Sequence, residues 1–284
     1  MPELPEVETI RRQLNTVLPG KKVSQIEVLR EKSFSGNPKK VIGWTIDKVD
    51  RKSKVIEILF KGKNEMLIIH LKMTGQLIYL DKDKRIAGGH PSVDWVSELP
   101  SKHTRVVLSF SDGSNLYFND MRVFGWVKLV LIDKYIKETR KQVPDVVDES
   151  FDSEYLEKLT SKTNKAIKLL ILDQDKMGGV GNIYANDALF SANILPTRPA
   201  KSLSFDEVKK LVTAIKMVIN KGIKYGGASA ADDKYVDISG FGGKYQDHFL
   251  VYQKSGEKCK VCKGEIKKSR VGGRGTFFCP NCQV

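Results

Sequence analysis

The 284-residue sequence predicts an α+β protein: an N-terminal β-sandwich with a leading helix, a helical region, and a C-terminal four-cysteine zinc ribbon. Three observations carry this. Short β-branched and aromatic runs, separated by turn residues, fill the stretch from Lys22 to Ile132 behind a helical opening. From Asp152 the apolar period returns to that of a helix. All four cysteines lie at the end of the chain, as Cys259-x2-Cys262 and Cys279-x2-Cys282.

In chain order, Val7, Ile10 and Leu14 recur at helical spacing, which predicts a helix from about residue 3 to Leu18, stopped by Pro19-Gly20. Strand-like runs follow at Val41–Val49, Val55–Phe60, Met66–Leu71, Leu77–Leu80, Val106–Phe110, Leu116–Phe118 and Trp126–Leu131. Ser111-Asp112-Gly113-Ser114 reads as a hairpin connection, and strands at this spacing suggest a sandwich. Tyr155, Leu156 and Leu159 open one helix, and Ile167 to Leu172 belong to another. Ser204 and Glu207 have capping-box spacing ahead of an amphipathic helix carrying Val208, Leu211, Val212, Ile215, Val218 and Ile219, which Gly226-Gly227 ends. Residues 228–244 read as a long loop rich in Gly, Ala and Asp, a binding lid or a disordered segment. The expected division is 1–135 for the leading helix and sandwich, 136–227 for the helical domain, and 228–284 for the loop and ribbon.

Lysine and arginine exceed acidic residues enough to give a formal charge of +14, which favours a polyanionic partner, nucleic acid ahead of an anionic membrane. From Lys254 onward eight basic residues face only two acidic ones. No apolar run approaches a membrane span, and the start of the chain, with Glu3, Glu6 and Glu8, lacks an apolar signal region, so a cytoplasmic protein is expected. Four thiolates at the observed spacing suit one tetrahedral structural zinc, Zn2+, held by Cys259, Cys262, Cys279 and Cys282. Two disulfides or an iron–sulfur cluster are the alternatives, the former disfavoured in a reducing compartment.

Two further motifs bear on chemistry. Once Met1 is removed, Pro2 is a terminal secondary amine followed closely by the carboxylates Glu3 and Glu6. Such an amine can form an iminium directly, and an α-amino group is partly unprotonated near neutral pH. The competing reading is a proline in the first turn of a helix, where its missing N–H costs nothing. Met177-Gly178-Gly179-Val180-Gly181-Asn182 lies between two helical segments, where backbone amides and Asn182 suit a phosphate; an ordinary helix C-cap and turn is the other reading.

PELPEVETIRR at the start, HLKMTGQL at 70–77, NDMRVFGW at 119–126, the stretch from Leu169 to Ala200 and the closing RGTFFCPNC together resemble the formamidopyrimidine-DNA glycosylases, bifunctional base-excision repair enzymes. Leu4 sets the chain apart from the endonuclease VIII relatives, which typically carry glycine there. The resemblance implies a helix–two-turn–helix domain and damaged double-stranded DNA held between the domains of a monomer. Pro2 would attack C1′ of the damaged nucleotide and expel an oxidised purine, chiefly 8-oxoguanine opposite cytosine or a formamidopyrimidine. The Schiff base would then cut the strand by β- and δ-elimination. Glu3 is similar to the family's acid/base group, Glu6 to its supporting carboxylate, and Lys54 to the hairpin lysine near the lesion phosphate. Met73, Arg122 and Phe124 match the residues that fill the void left by an everted nucleotide. Asn182 and Arg274 match the helix-loop and zinc-hairpin phosphate ligands, and His103 reads either as a phosphate contact or as a structural histidine. No nucleotide or redox cofactor is implied.

The chain departs from the pattern in places. Met121 and Val123 stand where the family commonly has proline and arginine, and Arg105 where a second histidine is common. Ala230-Ala231-Asp232-Asp233 lacks the basic residue that some relatives carry in the lesion-capping loop. Two rival functions remain at this level: an endonuclease VIII-like preference for oxidised pyrimidines, and a catalytically silent protein that binds nicked or abasic DNA.

Overall fold

The structure, a computed structural model, describes residues 2–140, 143–228 and 243–284. The loop expected at 228–244 therefore falls almost wholly outside the described residues, Ala230–Asp233 included. The chain divides into two compact units: Met1–Lys141 with Tyr225–Lys244, and Gln142–Lys224 with Tyr245–Val284.

The first unit opens with α1 (Leu4–Leu14). Ten strands follow: β1 (Val23–Val28), β2 (Phe34–Ser35), β3 (Ile46–Lys52), β4 (Val55–Phe60), β5 (Glu65–His70), β6 (Gly75–Leu80), β7 (Arg85–Gly89), β8 (Thr104–Phe110), β9 (Asn115–Asp120) and β10 (Trp126–Leu131). Helix α2 (Ile132–Arg140) follows β10. The strands form two five-stranded sheets, ordered β1-β8-β9-β6-β7 and β2-β10-β5-β4-β3. Along β4 alternate side chains are buried, and Ile56 and Ile58 meet Leu77 and Phe118 of the other sheet in one core. Val7, Ile10 and Leu14 of α1 enter the same core, so the helix is part of the sandwich.

Several elements differ from expectation. Helix α1 ends at Leu14 rather than Leu18. The Asn15 N–H closes the last turn on Arg11 O at 2.9 Å, while its side-chain oxygen accepts the Val49 N–H at 2.8 Å, a bond across 34 residues. In the run Val41–Val49 the strand begins only at Ile46, because Pro38–Val41 forms a 3-10 turn and Gly43 takes φ +83°. Strands β1 and β7 and helix α2 lack a strong local signal: β1 is polar at half of its positions, β7 ends in two glycines, and α2 is mostly charged.

The second unit contains α3 (Ser153–Thr160), α4 (Ile167–Ile171), α5 (Asn182–Ser191) and α6 (Phe205–Lys224), then the hairpin β11 (Lys267–Val271) and β12 (Arg274–Phe278). Ser204 and Glu207 form the expected reciprocal cap, with Ser204 N–H donating to Glu207 Oε2 at 2.8 Å and Glu207 N–H to Ser204 Oγ at 3.3 Å. Among the described residues no helix is long and apolar enough to cross a membrane.

Asp187 of α5 is fully buried and organises the chain that leads into the ribbon. One carboxylate oxygen accepts the N–H groups of Leu250, Val251 and Tyr252 at 3.1–3.3 Å, and the other accepts the Tyr245 hydroxyl at 3.2 Å. Asp187→Ala leaves these donors without an acceptor, and denaturant titration is expected to show a loss of about 3 kcal/mol or more.

Candidate active site and nucleic-acid interface

The start of the chain is held from the side by a carboxylate. Pro2, Glu3 and Glu6 are all buried, and Glu3 is the extended residue that precedes α1. Glu6 Oε2 accepts the Glu3 N–H at 2.7 Å, closing the cap of the helix. Its other oxygen accepts the Ala228 N–H, also at 2.7 Å. A Cβ at Gly227, whose φ is +84°, would stand 2.7 Å from that oxygen, so the close approach requires glycine.

Lys54 is buried and lies in the two-residue turn between β3 and β4. The turn is fastened to α1 through Arg51, whose Nη1 donates to Ser53 O at 2.7 Å and whose Nε donates to Glu8 Oε2 at 2.9 Å. Ser53 is thereby held at φ +52°, in the left-handed region. Glu8 also accepts Arg11 and Arg12 at 2.6 and 2.7 Å. Burial opposes ionisation of Glu8, but hydrogen bonds from Arg11, Arg12 and Arg51 outweigh it and hold the carboxyl down to about 2. His70, paired with Val55 across the strands, is held down to about 3, first by burial and then by the positive charges of Lys72 and Lys54. A neutral His70 can accept through Nδ1, and the Lys72 N–H donates to that atom at 2.9 Å.

Met73 and Phe124 are large apolar side chains left 39% and 51% exposed, unlike the core residues around them. They stand on two turns brought together in the first unit. Leu71 O accepts the Gly75 N–H at 2.8 Å and closes the turn that carries Met73. The other turn carries Arg122 and Phe124, with the guanidinium 4.8 Å from the ring centroid, a cation–π contact. His103 lies just before β8, its Nδ1 2.9 Å from Asp94 Oδ2. Asp94 is buried and orients the ring, leaving Nε2 as the nitrogen not turned to it.

In the second unit the structure brings Asn182 and Arg274 together. Asn182 begins α5 and donates from Nδ2 to Gly275 O at 3.1 Å, next to the exposed Arg274. Arg274 follows the two-residue turn Gly272-Gly273, whose φ values of +55° and +75° suit a type I′ hairpin. Arg274 and Lys165 border an open cleft of about 370 Å³ with Leu169 and Leu172. The glycine-rich loop differs from the expected amide cradle at two positions. The Gly178 N–H donates to Pro144 O at 2.9 Å and the Gly179 N–H to Gln174 Oε1 at 3.2 Å, so both serve the loop itself.

The four cysteine sulfurs lie within 4.8 Å of one another. Cys259 and Cys282 are 3.8 Å apart and Cys262 and Cys279 3.4 Å, too far for disulfides. Metal–sulfur bonds of about 2.3 Å in a tetrahedron place sulfurs about 3.8 Å apart, so the set fits one four-thiolate metal ion. The Val261 and Gly264 N–H groups point at Cys259 and Cys262 Sγ at 3.4 Å, the arrangement that favours thiolates.

Sequence reasoning passed over Glu8, Arg51 and Lys168. Lys168 is 0% exposed, and its ammonium donates to Gly275 O at 2.9 Å, Thr276 Oγ1 at 2.8 Å and Asn186 Oδ1 at 3.3 Å, tying α4 and α5 to the strand of Arg274. A lysine flanked on both sides by apolar helical residues was the available signal for it. For Glu8 it was the spacing to Arg11 and Arg12.

Because Glu8 is depressed from 4.5 to about 2, its stabilisation is complete above about pH 4.5 and is lost as pH falls toward 2. Glu8→Gln is therefore expected to lower Tm at neutral pH and to narrow the gap from the parent protein as the acid is increased. Thermal melts across pH 2–7, in steps of about half a unit, check this.

Family models match nearly end to end: the formamidopyrimidine-DNA glycosylase N-terminal domain over residues 1–127, the H2TH domain of those enzymes over 143–234, and the zinc finger found in FPG and IleRS over 256–284. The formamidopyrimidine-DNA glycosylase of Pelotomaculum thermopropionicum is 37% identical over 100% of this chain and 99% of its own length. That of an Exiguobacterium species is 38% identical over 100% and 99%. Among solved structures, the complex of a Lactococcus lactis FPG mutant with a Fapy-dG containing DNA superposes with a TM-score of 0.86 at 33% identity, covering 99% of both chains. MutM in complex with carbocyclic 8-oxo-G containing DNA gives 0.85 at 33%, again over 99% of both. With two relatives above 30% identity over essentially their whole length and all three family models in order, the chain belongs to the formamidopyrimidine-DNA glycosylase family.

Proposed function

We propose that Pro2, freed by removal of Met1, is the nucleophile of a DNA glycosylase and abasic-site lyase that excises 8-oxoguanine opposite cytosine and formamidopyrimidines. The chain is a base-excision repair enzyme acting on oxidised purines, the activity of its family. The observation that carries the assignment to Pro2 is the buried Glu6 carboxylate, which fixes the Glu3 amide and hence the direction of the terminal residue. The amine lone pair forms the bond to C1′ as the glycosidic bond breaks, and the base departs with the electron pair of the broken glycosidic bond. Loss of the amine proton and opening of the C1′–O4′ bond, with a proton delivered to O4′ from Glu3, give the iminium. Removal of a C2′ proton then expels the 3′ phosphate, and a second elimination expels the 5′ phosphate. Lys54 holds the phosphate near the lesion, while Met73, Arg122 and Phe124 occupy the space of the everted nucleotide. Asn182, Arg274 and His103 hold backbone phosphates.

The metal is one Zn2+ with a structural role, since four thiolates leave no open coordination position. It folds the ribbon that presents Arg274 and takes no part in the bond changes. The working form is a monomer on damaged duplex DNA in the cytoplasm.

Borohydride trapping on a duplex with one 8-oxoguanine opposite cytosine is expected to give an adduct mapped to Pro2 in Met1-processed protein, with little adduct in Pro2→Gly. An adduct only on abasic duplex would keep the lyase chemistry and overturn the base preference; none on either would overturn the nucleophile. Arg274→Ala is expected to weaken DNA binding at every sequence and to lower the slope of log K against log salt by about one unit. An unchanged slope in a salt titration would remove Arg274 from the phosphate contacts.

A further inference from the structure

We infer that Asp120 and Thr74 form a latch that makes the Met73 turn and the Arg122–Phe124 turn a single wedge, so that both are positioning residues for nucleotide eversion and for choice of the opposite base. The inference rests on the proposed void-filling role of Met73, Arg122 and Phe124.

Asp120 ends β9 and is 0% exposed; Thr74, next to Met73, is also buried. The Thr74 hydroxyl donates to Asp120 Oδ1 at 2.5 Å. The Arg122 N–H is shared between Thr74 Oγ1 at 3.0 Å and Asp120 Oδ1 at 3.2 Å. The Gly125 N–H, next to Phe124, donates to Asp120 Oδ2 at 2.6 Å. The two carboxylate oxygens thus collect donors from positions 74, 122 and 125, each in or beside a residue of the wedge. The backbone of Asp120 is engaged as well: its N–H donates to His103 O at 2.9 Å, and its carbonyl accepts Arg105 Nε at 2.8 Å.

This arrangement holds the chain where it would not otherwise rest. Val123, a β-branched residue, sits at φ +56°, in the left-handed region that such side chains disfavour. The amides on either side of it, of Arg122 and Gly125, are both on the Asp120 carboxylate. With Met121 rather than proline before it, no ring restricts the turn, and hydrogen bonds to one buried carboxylate do so instead. Gly125 is required by the fit, since a Cβ there would lie 2.8 Å from Phe118 Cζ and 2.9 Å from His70 O. Breaking the Thr74 bond separates the Met73 turn from the carboxylate while leaving the sandwich core intact.

Single-turnover excision of 8-oxoguanine opposite each of the four bases, alongside cleavage of a preformed abasic duplex, tests the latch. Thr74→Val keeps the shape and removes the hydroxyl. It is expected to slow excision opposite cytosine about ten-fold, the order set by one charge-assisted hydrogen bond, and to shrink the preference for cytosine over adenine. Abasic cleavage, which needs no base to be expelled, is expected to stay within about two-fold, and Thr74→Ser is expected to restore excision and preference. Asp120→Asn, which turns a donor toward one set of amides, is expected to act in the same direction, with circular dichroism reporting its fold. Parent-like excision and preference in Thr74→Val would overturn the latch, as would an equal fall in abasic cleavage, the mark of a general structural defect. Arg122→Ala and Met73→Ala serve as references. If they alter preference or excision and Thr74→Val does not, the latch alone falls; if they alter neither, the void-filling assignment falls and the latch with it.

Discussion

One buried carboxylate, Glu6, accepts the amides of Glu3 and of Ala228, the latter 222 residues further along the chain, and the proposed working end of the molecule depends on it. A chain terminus normally frays, and a reaction that uses the terminal amine needs that residue in one orientation. Glu6 supplies the constraint. Its burial strengthens each hydrogen bond it accepts, and Gly227 removes the Cβ that would push it away. The helix is in turn bolted into the sandwich by Val7, Ile10 and Leu14. The proposed reactive end is thereby anchored, through α1, to the core of its unit.

The same device recurs wherever a functional turn must be held. A buried charge is costly unless it is fully partnered, so where one occurs its partners are strongly specified. Glu8 gathers Arg11, Arg12 and Arg51 and so sets the turn that carries Lys54. Asp120 gathers the two exposed turns of the proposed wedge. Lys168 ties α4 and α5 to the strand of Arg274, and Asp187 fixes the chain entering the ribbon. In each case regular structure supplies the frame, and an ion-centred network sets the irregular backbone beside it. The cysteine cluster is suited to the same principle, because four thiolates converging there would be stable together only around a cation.

Much of the frame was legible in the chain. Strand β4, with its alternating burial, and the amphipathic α6, with its Ser204–Glu207 cap, announce themselves by period and capping chemistry. Strands β1 and β7 do not, because pairing within a sheet rather than local composition makes them strands. Helix α1 stops five residues before Pro19 because Asn15 turns to bond Val49, a partner that no local pattern reveals.

By itself, then, the sequence determined the class of fold, the cluster of four cysteines, the basic character and, through its motifs, the family. Each of these is written in periodicity, in spacing or in charge, which are properties of neighbouring residues. Tertiary structure alone decided that Glu6 meets Ala228, that Thr74 and Arg122 share Asp120, and that Lys168 supports the strand of Arg274. Apart from the local bond of Arg122 to Asp120, these pairings of polar groups span 46 to 222 residues. Such a group is satisfied by whatever the folded chain brings within hydrogen-bonding distance, and no sequence period encodes that.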